Sequence, residues 1–431
     1  MKNAFIKGQF VQRPLALAIG LTLLSSMVLS TEATAADSIT AAITGGKVSG
    51  NLRMRSESVS DDAVAEDADA LTLRTRLGYE TAPYMGFSVM AEFEDIHTMF
   101  GQDDYAPETV QVPAYAAILD RSVTEVNRAY LRYRGVPKLD MGYGRQRIIY
   151  DNARFVGNVG WRQDEQTFDG FTAVYTGLAD FTFNYAYLSK VNGIDETLDS
   201  SNIKDNLINL SYNGFTWGKF TGYAYLLDHE DELQTTVNAG LRFKTSDTVG
   251  MRFEGAYSLP ITKMVKVLYA AEYAQQEFEN TAGTIEREAD YTFAELGLNY
   301  VGASAIYTAK LSYEVLGSDD GLYGFQTPYA TKHAFNGWAD KFLATPAAGL
   351  EDTFATVNVV IPSLGGLNLL AMYHDYASDE GSFDYGDEWN LQIMKPFAPN
   401  YQIGIKYAAY SEGDLPYRDT DKLWIWAELN F

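Results

Sequence analysis

The stretch Leu423-Trp-Ile-Trp-Ala-Glu-Leu-Asn-Phe431 decides the fold class, because apolar residues recur at every second position. Leu423, Ile425 and Phe431 belong to the apolar set, whereas Glu428 and Asn430 belong to the other set. Successive side chains of a β-strand point to opposite faces, so one face of this strand suits lipid and the other suits a polar lumen. The stretch therefore predicts a β-strand that suits a membrane β-barrel, although an ordinary β-sandwich also alternates and only the connections decide between the two.

The residue that ends this strand, Phe431, resembles the terminal signal that the barrel-assembly machinery of Gram-negative bacteria reads. The same alternation recurs in residues 71–80, 265–273 and 401–408. Short turns alternate with long polar connections, as in barrels with periplasmic turns and extracellular loops. We therefore predict an all-β fold, a closed antiparallel transmembrane β-barrel in the outer membrane, with short periplasmic turns and long extracellular loops.

We expect about 18 strands, an even number that puts both termini on the periplasmic side, within a range of about 16 to 20. The range reflects residues 232–255, where residues 234–243 fit a loop, a hairpin within a loop or an extension of neighbouring strands. The lumen of such a barrel is wider than its own side chains can fill. The sequence therefore predicts a pore, unless a loop such as residues 317–351 plugs it.

The first 36 residues have the pattern of a secretory signal peptide. Lys2, Lys7 and Arg13 precede an apolar run over residues 14–29, and small residues follow at A-x-A spacing. The run is short for a membrane anchor, which is the alternative. We predict cleavage after Ala35 or Ala36, which leaves residues 37–431 as a single barrel domain.

Composition narrows the function further. The chain has no cysteine, which excludes disulfides and thiol or cysteine-metal chemistry. The 30 Tyr, 23 Phe and 6 Trp residues suit the aromatic girdles of a membrane barrel. A formal net charge of −24 argues against a nucleic-acid partner, because phosphates would be repelled. The expected surroundings are outer-membrane lipid and lipopolysaccharide.

Arginines alternate with apolar residues on several predicted strands, so we expect them to face the lumen. A charge facing lipid near the midplane would cost about 2–4 kcal/mol. They either brace the wall by pairing with inward acids or form a basic path for anions, since a guanidinium can grip a carboxylate with two hydrogen bonds. The arginines of this predicted path are Arg53, Arg55, Arg74, Arg76, Arg128, Arg132 and Arg252, and the inward acids are Glu92, Glu94, Glu254, Glu272, Glu295 and Glu428.

Acidic residues concentrate in the long connections, as in residues 61–67 and 277–290. Solubility and contact with divalent cations among surface lipopolysaccharides account for them without any substrate. We predict no cofactor and no metal site. The acidic clusters are compatible with a calcium ion bound to a loop, although the chain lacks the twelve-residue loop of an EF-hand.

Two long segments carry a family resemblance. They are GRQRIIYDNARFVGNVGWRQDEQTFD at residues 144–169 and FQTPYATKHAFNGWADKFL at residues 325–343. Both resemble loop signatures of the alginate export family of outer-membrane porins, and residues 271–275 fit as well. The resemblance extends from about Lys47 to Phe431.

The resemblance implies a monomeric barrel with a basic constriction that passes an anionic uronate polysaccharide, and loops that fold over or into the pore. It implies path residues Arg145, Arg147, Arg154 and Arg162, and pore-loop residues Trp161, His333, Asn336, Trp338, Asp340 and Lys341. Alternatively, the role of the motifs is structural, and an inward-folded loop is fixed by the packing of Gly160, Trp161, Gly337 and Trp338. The expected cargo is therefore an anionic saccharide or small anion, in polysaccharide export or in uptake of acidic sugars.

Other functions are a general diffusion porin, a structural barrel with a loop-plugged lumen, and an enzyme at the barrel rim. The four histidines, His97, His229, His333 and His374, lie on separate predicted segments. His333 and Asp340 share a loop, but no third partner is apparent, and the chain lacks nucleophile-elbow, HExxH and phosphate-binding glycine motifs. We therefore predict a channel that is not an enzyme.

Overall fold

The computed structural model describes residues 35–106, 115–195, 198–229, 243–260, 262, 264–280, 282–414 and 416–431. The predicted signal peptide, residues 1–36, lies almost wholly outside these residues and stays a prediction. Nearly all of residues 234–243 lie outside them as well. Within the described part of the chain, no helix has the length and hydrophobicity needed to cross a membrane.

Among the described residues, eighteen antiparallel strands form one closed sheet, which confirms the predicted barrel. The barrel closes where β1 pairs with β20, from Asn51 opposite Asn430 to Asp61 opposite Thr420. Two further short strands, β14 and β15, pair with each other inside a loop. The bounds are β1 Lys47–Asp61, β2 Ala68–Glu80, β3 Phe87–Asp104, β4 Val123–Tyr133, β5 Leu139–Gln146, β6 Thr167–Tyr175, β7 Phe181–Asn192, β8 Ser200–Phe215, β9 Gly218–Asp228, β10 Thr245–Ser258, β11 Val265–Glu279, β12 Glu286–Val301, β13 Ile306–Leu316, β14 Ser318–Asp319, β15 Tyr323–Gly324, β16 Leu350–Ile361, β17 Leu367–Ala377, β18 Asp384–Phe397, β19 Tyr401–Ser411 and β20 Thr420–Asn430.

The wall shows the predicted alternation. On β20, Leu423 and Ile425 are exposed on the outer face, whereas Trp424 and Trp426 are buried on the inner face. Phe431 closes the strand by exchanging backbone hydrogen bonds with Gly50 of β1, at 2.9 and 3.0 Å. A helix precedes β1, α1 at Ile39–Thr44, and its first turn is capped by the Ser38 hydroxyl. Two 3₁₀ turns, at Lys332–Ala334 and Pro362–Leu364, are the other helical elements of the described chain.

The connections differ at the two ends of the barrel. At the end where β1 begins and β20 ends, the turns are short, as in residues 81–86, 216–217 and 398–400. At the opposite end, the connections include three long loops, at residues 105–122, 147–166 and 317–349. The last two segments turn inward, where Phe155, Trp338 and Phe325 pack against the wall. Two of the loops that enter the lumen are named loop A (residues 147–166) and loop B (residues 317–349).

Candidate functional site

Loops A and B are joined to each other by their backbones inside the barrel. Val156 and Tyr329 form a parallel bridge. The Gly157 amide donates to the Tyr329 carbonyl at 2.8 Å, and the Thr331 amide donates to the Ala153 carbonyl at 3.0 Å. A Cβ on Gly157 would lie 2.2 Å from the Thr331 hydroxyl, so the close approach of the loops requires glycine at this position. The two motifs therefore form one structural unit.

Loop B is anchored to the wall by one carboxylate of β18. The Trp338 and Ala339 amides donate to Glu388 Oε1 at 2.5 and 2.9 Å. Gly337 has φ +83°, and a Cβ there would lie 2.2 Å from Glu388 Oε2. Both the left-handed backbone and the close contact exclude a larger residue. This geometry explains the glycine of the Asn-Gly-Trp sequence in the motif.

Two arginines that the resemblance places on the substrate path are instead enclosed by the loops. Arg154 Nε donates to Glu314 Oε1 at 2.8 Å, and its Nη2 donates to Asn336 Oδ1 at 3.0 Å. Arg162 pairs with Glu57 at 3.0 Å and with Asp340 at 2.9 Å. Burial opposes ionisation of Asp340, but the adjacent His333, Lys422 and Arg162 hold the pKa of its carboxyl well below the usual range. These pairs connect the loops to the wall.

Four strand arginines face inward and contact loop A. Arg53 donates to Gln163 Oε1 at 2.9 Å and to the Trp161 carbonyl at 3.0 Å. Arg74 donates to the Gln163 carbonyl at 3.1 Å. Arg55 bonds to the Trp161 carbonyl and to Asp120, while Arg76 bonds to Glu94. All four are buried, so they hold loop A against the wall.

Arg128, Arg132 and Arg147 remain partly exposed, with 19%, 28% and 29% of the side chain accessible, and we call them the open arginines. Each directs Nε and Nη2 at one carboxylate, with Nε at 2.8 Å from Glu92, 2.7 Å from Asp140 and 2.7 Å from Glu165. Among the described residues, Nη1 of none of the three makes a hydrogen bond. These groups have unused donors.

The remaining path arginines lie elsewhere. Arg252 on β10 is buried between Glu272 at 2.7 Å and Glu254 at 3.1 Å. Arg145 shares a strand face with Tyr143, which is exposed, and pairs with Asp169 at 2.9 Å. The Arg145 guanidinium lines a cavity of about 500 Å³ between β4 and β7. The structure thus does not bring Arg145 together with the open arginines.

The pore-loop residues of loop B surround a buried lysine that the sequence analysis missed. His333 Nδ1 contacts Asp340 at 2.7 Å, and its Nε2 contacts Lys406 Nζ at 2.7 Å. Lys406 Nζ lies 4.1 Å from the centre of the Trp161 ring and 3.7 Å from that of Trp338. Lys406 alternates with Ile405 and Tyr407 on β19, and this alternation was the available signal.

The environment of His333 opposes acid–base chemistry. Burial and the adjacent Lys406 lower the pKa of the His333 imidazole well below its usual range, although Asp340 acts in the opposite direction. The Trp161 ring stacks on the imidazole with centroids 5.0 Å apart, so the histidine is covered. Asn336 bonds to Glu314 at 2.6 Å, and Lys341 pairs with Asp61 at 3.0 Å. The loop B motif is a packed polar cluster.

One group with metal-ligand spacing occurs within the described residues. Glu94 of β3, Glu125 of β4 and Asp164 of loop A have carboxylate oxygens within 4.8 Å of one another. The group offers oxygen ligands only, without histidine or cysteine.

The sequence matches the family described as alginate export over residues 46–345. OpdL of Pseudomonas aeruginosa has a similar structure, with a TM-score of 0.65 and 13% identity over 90% of this chain and 99% of OpdL. OccAB2 of Acinetobacter baumannii is similar with a TM-score of 0.67 and 12% identity over 91% of this chain and 99% of OccAB2. At such identities the likeness shows the fold alone. No curated protein shows significant similarity to the sequence.

Proposed function

Because the chain belongs to the alginate export family, we propose that it is an outer-membrane channel that passes anionic solutes. The proposed substrates are acidic sugars, meaning free uronates, their short oligomers or a uronate polysaccharide. The chain forms its own closed barrel, which supports a monomer in contact with lipid and lipopolysaccharide. We further propose that the barrel-assembly machinery inserts it.

The open arginines are the observation that carries the proposal. Arg132 lies near the end of β4, and Arg128 lies four residues earlier on the same strand. Arg147 follows β5, the next strand. Each guanidinium is held by a carboxylate through Nε and Nη2, and among the described residues its Nη1 makes no hydrogen bond. A planar guanidinium recognises a carboxylate well, so the three groups offer successive contacts to a uronate.

The paired carboxylates set the strength of these contacts. Glu92, Asp140 and Glu165 offset most of the positive charge of the open arginines. Conduction requires sites that bind the solute tightly enough for it to enter the channel and weakly enough for it to leave. Weak, repeated guanidinium contacts meet both conditions, whereas an unpaired arginine in a narrow lumen would retain its anion.

The inward loops favour small acidic sugars over a polymer in this conformation. Passage of a polysaccharide would require loops A and B to move apart, which breaks the buried Arg154–Glu314 and Arg162–Glu57 pairs. Removing one partner of such a pair leaves an uncompensated buried charge. We therefore place free uronates and short oligouronates first among the proposed substrates.

Planar bilayers test the proposal. We expect wild-type channels to prefer anions in the reversal potential of a salt gradient, and oligouronates to block the current. The triple variant Arg128→Gln/Arg132→Gln/Arg147→Gln should lose both properties. Arg418→Gln is the matched control, because Arg418 is an exposed loop residue paired with Glu412. A cation preference that the triple substitution leaves unchanged would refute the anion path.

A structural barrel is the second candidate, because the loops contain fully buried side chains such as Phe325 and Trp338. Correctly folded protein that gives no channel events would favour it. A general diffusion porin would conduct without block by oligouronates. An enzyme at the barrel rim ranks last, because the His333–Asp340 pair is covered by Trp161. Hydrolysis of a lipid or peptide by pure protein would reverse that order.

A further inference from the structure

The carboxylate group of Glu94, Glu125 and Asp164 has the dimensions of a cation site. Its ligand oxygens all lie within 4.8 Å of one another. Two oxygens that bind the same calcium ion at about 2.4 Å are at most about 4.8 Å apart. The three residues come from β3, β4 and loop A, so a single ion would connect the wall to the inward loop.

Asp164 supplies a second, independent observation. Its side chain is 0% exposed, and neither carboxylate oxygen has a hydrogen-bond partner in the described part of the protein. Oε1 of Glu94, which is also buried, lacks a partner there as well. Buried polar groups are nearly always satisfied, so three unpartnered carboxylate oxygens facing one another indicate a bound proton or ion.

The surrounding protein cations do not neutralise this group. Arg76 donates to Glu94 and lies 3.5 Å from Glu165, so it is shared between two acids. Arg145 pairs with Asp169. Arg121 lines the same cavity as Glu125, so it is one cation beside three carboxylates.

Water and ions can reach the group from the cavity between β4 and β7. This cavity of about 500 Å³ is polar, and Glu125 lies on its wall. Within the described residues, the Glu125 side chain forms no hydrogen bond or ion pair, so its carboxylate is available as a ligand. Calcium takes six to eight oxygens, and cavity water would complete the shell that three carboxylates begin.

We propose that Glu94, Glu125 and Asp164 bind one calcium ion that fixes loop A to β3 and β4. Oxygen-only ligands disfavour zinc, and magnesium retains a rigid octahedral water shell that two buried carboxylates would obstruct. The ion lies beside Gln163 and Glu165, whose contacts position Arg53 and the open arginine Arg147. Calcium therefore stabilises the inward position of loop A.

Calorimetric titration tests the site in the mature full-length protein, refolded in detergent without lipopolysaccharide and stripped with a chelator. Calcium chloride should titrate one site per chain, and magnesium chloride should bind about tenfold more weakly. Asp164→Asn and Glu125→Gln should each weaken calcium binding by at least tenfold. Asp62→Asn is the control, because it removes the same charge from an exposed acid outside the group.

Circular dichroism and heat-dependent gel mobility show whether each variant has folded. If Asp164→Asn does not fold, Glu125→Gln still tests the site, because Glu125 is only partly buried on the cavity wall. Absence of calcium binding by the wild type would overturn the site and indicate a proton shared by Glu94 and Asp164. Equal binding by the wild type and both variants would overturn it as well. Neither result bears on the proposed anion path.

Discussion

Arg162 of loop A and Arg132 of β4 are both inward guanidinium groups paired with acids, yet 4% of one side chain and 28% of the other is exposed. Arg162 contacts two carboxylates, Glu57 and Asp340, and lies between the loops and the wall. Arg132 is held along one edge and keeps Nη1 free. The number of contacts and the burial, rather than the residue type, separate an arginine that braces the barrel from one that can meet a solute.

Loss of the buried pair should have the largest effect. Arg162→Gln leaves Glu57 and Asp340 buried with less compensation, and we expect it to lower the free energy of unfolding by about 3 kcal/mol. Urea titration in lipid vesicles measures this change. The exposed Arg418→Gln should cost less than about 1 kcal/mol. Equal effects at the two positions would contradict the distinction between bracing and exposed arginines.

The loop B anchor should show the next largest effect. Gly337→Ala forces a Cβ into contact with Glu388 at φ +83°, and we expect a loss of about 2 kcal/mol in the free energy of unfolding. Gly321→Ala is the matched control, because Gly321 has φ +73° but nothing within 4 Å of the added Cβ. The difference between the two variants isolates the steric contact. If Gly321→Ala lowers the free energy of unfolding as much as Gly337→Ala does, backbone strain alone explains the loss and the contact with Glu388 contributes nothing.

Lys332 tests the cost of burying a charge in loop B. Burial, with a smaller contribution from Arg154, lowers the pKa of Lys332 to about 8. The unfolded pKa is about 10.4, so below pH 8 both states hold the proton and the penalty is complete. Between the two values the folded state has lost the proton that the unfolded state keeps, so stability rises with pH.

Lys332→Met should therefore stabilise the protein at neutral pH, and its advantage over the wild type should shrink as the pH rises above 8. Urea titrations of both proteins across this range measure the difference. A constant difference between them would mean that Lys332 does not lose its proton in the folded state.

Single charges at the open arginines should have the smallest effect. Arg132→Gln should lower the anion-to-cation permeability ratio about fivefold, because one unit charge about 4 Å away in a water-like dielectric contributes about 1 kcal/mol. Asp140→Asn removes the partner and should raise the ratio by a similar factor. Reversal potentials measure both. Shifts of the same sign would show that solutes do not pass this pair.

Much of the barrel could be predicted from local patterns. Alternation on β20, the short turns and the even strand number were all apparent, and the family resemblance was carried by residues 144–169 and 325–343. Lys406 was overlooked even though its inward position on β19 followed from the same alternation. Its aromatic surroundings could not be predicted, because Trp161 and Trp338 reach it from two different loops.

The sequence by itself determined which strand residues face lipid and which face the lumen, because the side-chain period of two is a local property of the extended backbone. Only the tertiary structure decided which inward arginines are buried in ion pairs and which remain partly exposed. The partners of Arg154 and Arg162 lie 160 and 178 residues away, at Glu314 and Asp340, and meet them only when loops A and B enter the lumen. That long-range docking buries some guanidinium groups and leaves Arg128, Arg132 and Arg147 open.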